Sequence, residues 1–260
     1  MTRYNHIGTN YDVTRKADPF LAKTLFELLN PSPEKVYLDI GCGTGNYTTA
    51  LHQMGVNFIG VDPSEKMISE AKQKSSSIDW KIGTAEDIPL KDDSVDGVFA
   101  TLTLHHWSDL KKGLSEVGRV IRPKGNTVIF TSYPEQTAAY WLKHYFPQMI
   151  ANSAKTLPER SSILNAATES GFKLVQEQSY NVSPDLQDLF LNSGKHNPEL
   201  YFNEGVRRGI SSFALAQNQD EVESGLHRLR ADIDNGDFDR IRKSYENEIG
   251  DYCFIKLIKD

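Results

Sequence analysis

The run Leu38-Asp39-Ile40-Gly41-Cys42-Gly43-Thr44-Gly45 sets an acid two places ahead of three glycines at alternate positions. Glycines in such a turn let backbone approach a ligand closely, and the amides opening the next helix attract an anionic group. Two nucleotide-binding patterns are excluded here by their own requirements. The dinucleotide fingerprint needs glycine at its sixth position, where this chain has Asn46, and a P-loop ends in Gly-Lys-Ser/Thr, which this turn lacks.

Three further segments carry chemistry. Asp62, with Pro63 after it, ends an apolar run, and an ionised carboxylate there accepts two hydrogen bonds from a ribose diol. The plainer use of Asp62 is to cap the following helix, and that of Met67 is core packing. Ala85-Glu86-Asp87 follows a short apolar stretch and otherwise reads as a solvated turn. Thr101 leads into His105 and His106, imidazoles that titrate near neutrality and suit a general base or a structural hydrogen bond. Neighbouring histidines point differently and no third ligand stands at metal spacing, so no metal is expected.

These residues need elements to position them. Leu21, Leu25 and Leu28 share one face of a helix that Pro31 and Pro33 stop. Strands are predicted at 36–40, 56–61, 80–82, 94–101 and 126–132. Helices are predicted at 48–54, from the Ser64 cap to Lys74, and from Ser108 to Pro123 with Leu110, Leu114, Val117 and Ile121 at helical spacing. Strands alternating with helices predict a parallel sheet whose ligand sites lie at the carboxyl ends of the strands. Beyond Tyr133 the regularity weakens into an aromatic-rich stretch, a helix and strand over 161–180, a largely helical stretch over 184–248 and a last strand at 252–258.

Composition narrows the function classes. With 29 basic and 35 acidic side chains the net charge is -6, which offers no attraction to nucleic acid or an anionic membrane. No apolar run is long enough to span a bilayer, no signal-like stretch opens the chain, and Cys42 and Cys253 cannot build a disulfide framework. A cytoplasmic location is expected.

The acid before GxGxG, with Asp62 and the 85–87 loop, resembles the class I S-adenosylmethionine-dependent methyltransferases, in particular the type 11 or quinone-methyltransferase-like group, over roughly residues 34 to 135. The resemblance implies an α/β, Rossmann-like, doubly wound and mostly parallel seven-stranded sheet, its last strand antiparallel, with helical substrate-cap insertions. It implies a core of 34–135 with 160–182 and 249–260, an N-terminal helical cap over 1–33, and cap or lid insertions at 136–159 and 183–248. Carried over residue by residue, Asp39 faces the cofactor's ammonium, Gly41, Cys42, Gly43 and Gly45 pass beneath its methionine part, and Asp62 and Pro63 meet the ribose. Met67, Ala85, Glu86 and Asp87 surround the adenine, Thr101 runs along the cofactor, and Tyr11 closes over it. Tyr133, Tyr140 and Trp141 stand where the family builds its acceptor wall, although aromatics spaced along a helix are more often core than pocket, and His105 or His106 supplies any base.

The activity implied is in-line transfer of a methyl group from S-adenosyl-L-methionine to a small-molecule acceptor, leaving S-adenosyl-L-homocysteine, by a monomer or homodimer. An S-adenosylmethionine-binding protein of the same fold with another group-transfer or sensor role is the alternative.

Overall fold

A computed structural model describes residues 11–260. The chain opens with a short helix α1 (Tyr11–Thr14), then α2 (Pro19–Leu29), which Asp18 caps by accepting from the amides of Phe20 and Leu21. Its buried stripe of Leu21, Leu25 and Leu28 is the one the spacing predicts. Each such side chain removed from water contributes about 1.5–3 kcal/mol.

The alternating part follows as β1 (Val36–Ile40), α3 (Asn46–Gln53), β2 (Asn57–Asp62), α4 (Glu65–Lys74), β3 (Asp79–Ile82), β4 (Val95–Thr101), α5 (Leu110–Val120) and β5 (Ile121–Thr131). After it come α6 (Pro134–Ala138), α7 (Leu142–Tyr145), α8 (Pro147–Thr156), α9 (Arg160–Glu169) and β6 (Phe172–Tyr180). The chain ends with α10 (Glu204–Arg208), α11 (Ser211–Ala214), α12 (Gln219–Asp234), α13 (Phe238–Lys243) and β7 (Tyr252–Lys259).

The seven strands form one sheet in the order β3-β2-β1-β4-β5-β7-β6, with β1 to β5 parallel and β7 antiparallel to both its neighbours. This is the mostly parallel Rossmann-like sheet implied by the resemblance. Strand periodicity divides its side chains between two cores. Phe99, Phe130 and Phe254 pack toward α2 and α3, while their neighbours Val98, Ile129 and Ile255 pack toward α5 and α9.

The sequence places the end of α5 at Pro123, but β5 begins at Ile121, directly after the helix. The first residue of β5 pairs with Val95, and the register shifts before Gly97. Proline, which has no amide to donate, is tolerated in a strand at such an irregularity. Residues 184–197 contain no helix, although the composition there suggests a largely helical stretch.

Outside the sheet, Tyr140, Trp141, Phe146, Tyr201, Phe213 and Phe238 form a third core that joins α7 and α8 to α10–α13. Among the described residues no helix is long and apolar enough to cross a membrane.

Candidate active site

A cavity of about 440 Å³ opens at the carboxyl ends of β1, β2 and β4, between the sheet and the third core. A space of this size accepts a small molecule. Its floor is the glycine turn. Gly41, Gly43 and Gly45 all have positive φ, the region glycine enters without strain. At Gly41 the need is also steric, because a Cβ would fall 2.1 Å from Thr103 Oγ1. The amides of Gly41 and Cys42 donate to Val61 O at 2.8 and 3.1 Å, tying the turn to β2.

Two carboxylates flank this floor. Asp39, on β1, is buried, and its Oδ2 accepts from Thr48 Oγ1 at 2.5 Å. Loss of hydration raises its pKa to about 8, and the nearby Asp62 pushes in the same direction. Asp62 closes β2 and accepts from Gly43 N at 2.9 Å on one oxygen and from Ser64 N at 2.8 Å on the other. Burial raises its pKa too, and these two amides oppose the rise. Met67, one turn into α4, is buried and lines the same space.

Beyond Thr101 the backbone turns through Leu102, whose φ of 51 is rare for a branched side chain and is held against β5 by its amide donating to Phe130 O at 2.8 Å. This turn projects residues 103–106 along the cavity, where Thr101, His105 and His106 all face it. The two imidazoles lie 3.8 Å apart between centroids. Burial drives the His105 pKa well below the usual imidazole range, and His106 and Arg15 add to the effect, so the ring is neutral at physiological pH. Thr101 Oγ1 is buried and has no hydrogen-bond partner among the described residues.

Of the residues singled out from sequence, Asp39, Gly41, Cys42, Gly43, Asp62, Met67, Thr101, His105 and His106 meet at this cavity. Gly45 stands behind the turn as the residue before α3, where a Cβ would strike the Trp80 ring. Pro63 is exposed beside Asp62. Ala85 packs into the α5 side of the sheet, and Glu86 accepts from the Ser108 amide and hydroxyl and the Asp109 amide at 2.5, 3.0 and 3.1 Å, which pins its loop to the start of α5. Asp87 is exposed in that loop. Residues 1–10 and the Tyr11 side chain lie outside the described residues, and with them the expected aromatic closure.

The expected acceptor wall is elsewhere. Tyr133 donates its hydroxyl to Glu177 at 2.8 Å, Tyr140 and Tyr201 share a hydroxyl contact of 2.9 Å, and Trp141 packs edge-on against Tyr145, Tyr201 and Phe238. None of the three lines the cavity. Large aromatic surfaces stabilise most when fully buried, and Tyr140 and Trp141 build a core of their own.

In their place stand Asn152, Ser211 and Gln217 with Leu157, Ile210 and Leu215, drawn from α8 and the 210–217 region. Arg15, Tyr47 and Asp188 also line the cavity, and no motif in the sequence marks them. Arg15 Nε donates to Asp188 at 2.6 Å, and Tyr47 donates to its other oxygen at 3.1 Å. An arginine three residues before the Asp18 cap of α2 is the local signal, and it names no partner 173 residues away.

Comparison with known proteins gives a consistent picture. Residues 38–129 match a family model described as a methyltransferase domain. A structure described as a candidate methyltransferase from an antibiotic biosynthesis pathway of Anabaena variabilis is 38% identical, with a TM-score of 0.84 over 94% of this chain and 98% of that one. An uncharacterized methyltransferase of Mycobacterium bovis is 34% identical over 118 residues, 45% of this chain, and the match spans about half the relative's length, 48%. Geranyl diphosphate C-methyltransferase of Streptomyces coelicolor, solved with Mg2+, geranyl diphosphate and S-adenosyl-L-homocysteine, shares the fold at 15% identity and a TM-score of 0.60, over 93% of this chain and 79% of that one.

Proposed function

Because the chain belongs to the class I S-adenosylmethionine-dependent methyltransferases of the type 11 group, we propose that its cavity transfers a methyl group from S-adenosyl-L-methionine to a small-molecule acceptor. The observation that carries this reading is the meeting, in one cavity, of a buried acid, a second acid on β2, a glycine turn, a guanidinium and a neutral imidazole.

The residues present fit the cofactor. Asp39 has a single hydroxyl donor, which leaves lone pairs for an ammonium. Each oxygen of Asp62 takes one amide and keeps capacity for a ribose diol. Arg15 is the lysine-or-arginine cation among the described lining residues and suits a carboxylate. Asp87 and the backbone around Ala85 and Glu86, which stand outside the cavity lining, are given the adenine amine by the family resemblance.

When bound, the cofactor supplies a methyl carbon already activated on a sulfonium. The chain's own work is therefore to orient, to exclude water and to move one proton. His105, held neutral, takes that proton from an acceptor hydroxyl or amine. Asn152, Ser211 and Gln217 orient the acceptor among Leu157, Ile210 and Leu215, and the insertions at 136–159 and 183–248 act as its cap. The acceptor wall carries no charged side chain, which suits an uncharged molecule with an apolar body and hydrogen-bonding oxygens. The pathway described for the Anabaena relative fits such an acceptor. The two unpaired thiols fit a cytoplasmic setting.

The test is binding and transfer. S-adenosyl-L-homocysteine should raise the unfolding midpoint, and labelled S-adenosyl-L-methionine with a metabolite extract should yield an acceptor heavier by one methyl. Absence of both effects would overturn the reading. Asp62→Ala should weaken S-adenosyl-L-homocysteine binding by about tenfold or more, and unchanged affinity would remove the assigned ribose contact.

A further inference from the structure

Asn46, the residue that excludes the dinucleotide pattern, is the centre of a hydrogen-bonded cluster. Lys74, the last residue of α4, donates to Asp12 Oδ1 at 2.6 Å, to Thr44 Oγ1 at 2.8 Å and to Asn46 Oδ1 at 2.5 Å. An ammonium has three N–H donors, and three oxygens take them here. Thr44 and the Asn46 amide also donate to Asp12 Oδ1, at 2.6 and 3.1 Å, and the same amide donates to the carbonyl of Arg15. The N-terminal segment 12–15 is thereby fixed to the glycine turn on one side.

On the other side this segment is fixed to the cap. Leu189 N donates to Thr14 O at 2.8 Å, and Arg15 reaches Asp188 at 2.6 Å. Gly209 allows the approach, since a Cβ there would lie 2.4 Å from Thr14 Oγ1. Residues 12–15 form a strap from the glycine turn to the cap, and its last residue places a guanidinium in the cavity.

We propose that Lys74 is a positioning residue for cofactor binding: it latches the strap to the glycine turn through Asp12, Thr44 and Asn46, and so sets where Arg15 stands. The inference rests on the cofactor reading above. The Lys74 side chain, 23% exposed, itself stays out of the cavity lining. A planar guanidinium cannot match three converging oxygens as an ammonium does. Asn46 is needed because a glycine at that place would leave the Arg15 carbonyl and one Lys74 donor without their contacts.

The experiment combines calorimetry with S-adenosyl-L-homocysteine and amide hydrogen exchange of the ligand-free full chain. Lys74→Met should weaken binding about tenfold, as expected for loss of partly buried charge-assisted hydrogen bonds. It should also speed exchange over 12–15 and 43–46 and leave the unfolding midpoint within a few degrees of wild type. Lys74→Arg should recover part of the affinity, and Asp12→Asn should cost less in the Lys74→Met background than alone. Wild-type exchange in Lys74→Met, or faster exchange with wild-type affinity, overturns the proposal. If the unaltered chain fails to bind S-adenosyl-L-homocysteine, the cofactor reading falls by itself, and the ligand-free exchange still decides whether Lys74 holds the strap.

Discussion

The two sides of the cavity are built by different means. On the sheet side, a backbone turn with three positive-φ glycines and two acids at strand ends offers fixed carboxyl groups and fixed amides. On the cap side, α8 and the 210–217 region present neutral amides and hydroxyls among aliphatic side chains, and the one cap carboxylate in the lining, Asp188, is paired with Arg15. Groups placed by strand ends are held by the ladder on both flanks, as Asp39 is between β2 and β4. Groups on the cap are held by a separate aromatic core. One side holds its groups through backbone pairing, and the other through side-chain packing in a separate core.

This contrast can be broken at its junction first. His105 stands where the two sides meet, and His105→Ala should slow turnover by about 10²- to 10⁴-fold, the usual range for a general base, while S-adenosyl-L-homocysteine affinity stays near wild type. Equal turnover would return His105 to a packing role.

On the sheet side, Asp39→Asn should weaken S-adenosyl-L-homocysteine binding about a hundredfold, as loss of one member of a buried charge pair does. Isothermal titration checks it. The raised pKa adds a pH signature. In the unfolded chain Asp39 loses its proton near pH 4, whereas in the unliganded fold it keeps it to about 8. The unliganded fold therefore loses stability from this group as pH rises through that window. An ammonium ligand favours the carboxylate, so S-adenosyl-L-homocysteine should bind more tightly as pH rises toward 8 and release a proton to the buffer at pH 7. Binding heats independent of buffer ionisation would refute this.

On the cap side the effects should be smallest and confined to the acceptor. Asn152→Ala and Gln217→Ala, each removing one neutral hydrogen bond, should raise the acceptor KM by roughly three- to tenfold, leaving cofactor affinity alone. A matching loss of cofactor affinity would mean that the two sides are not separate.

Much of the sheet side is legible in the sequence because its signals are local. An acid, alternate glycines and an apolar strand lie within the ten residues from Val36 to Gly45, and each predicted position follows from strand periodicity or turn chemistry. Helix α5 ends before Pro123 because strand pairing of Ile121 with Val95 outweighs the helix-stop rule there. The roles of Glu86 and Asp87 differ although they are neighbours, since only Glu86 reaches the amides at 108–109.

By itself, the sequence determined the parallel sheet, the glycine turn and the acids at its edges, all short-range consequences of backbone geometry and residue type. Tertiary structure decided between core and pocket for the aromatics after β5, and it alone decided that α8 and the 210–217 region line the opposite side of the cavity and that Arg15 meets Asp188. Those outcomes depend on which distant surfaces bury the most apolar area together, and on partners far apart in the chain that no local spacing encodes.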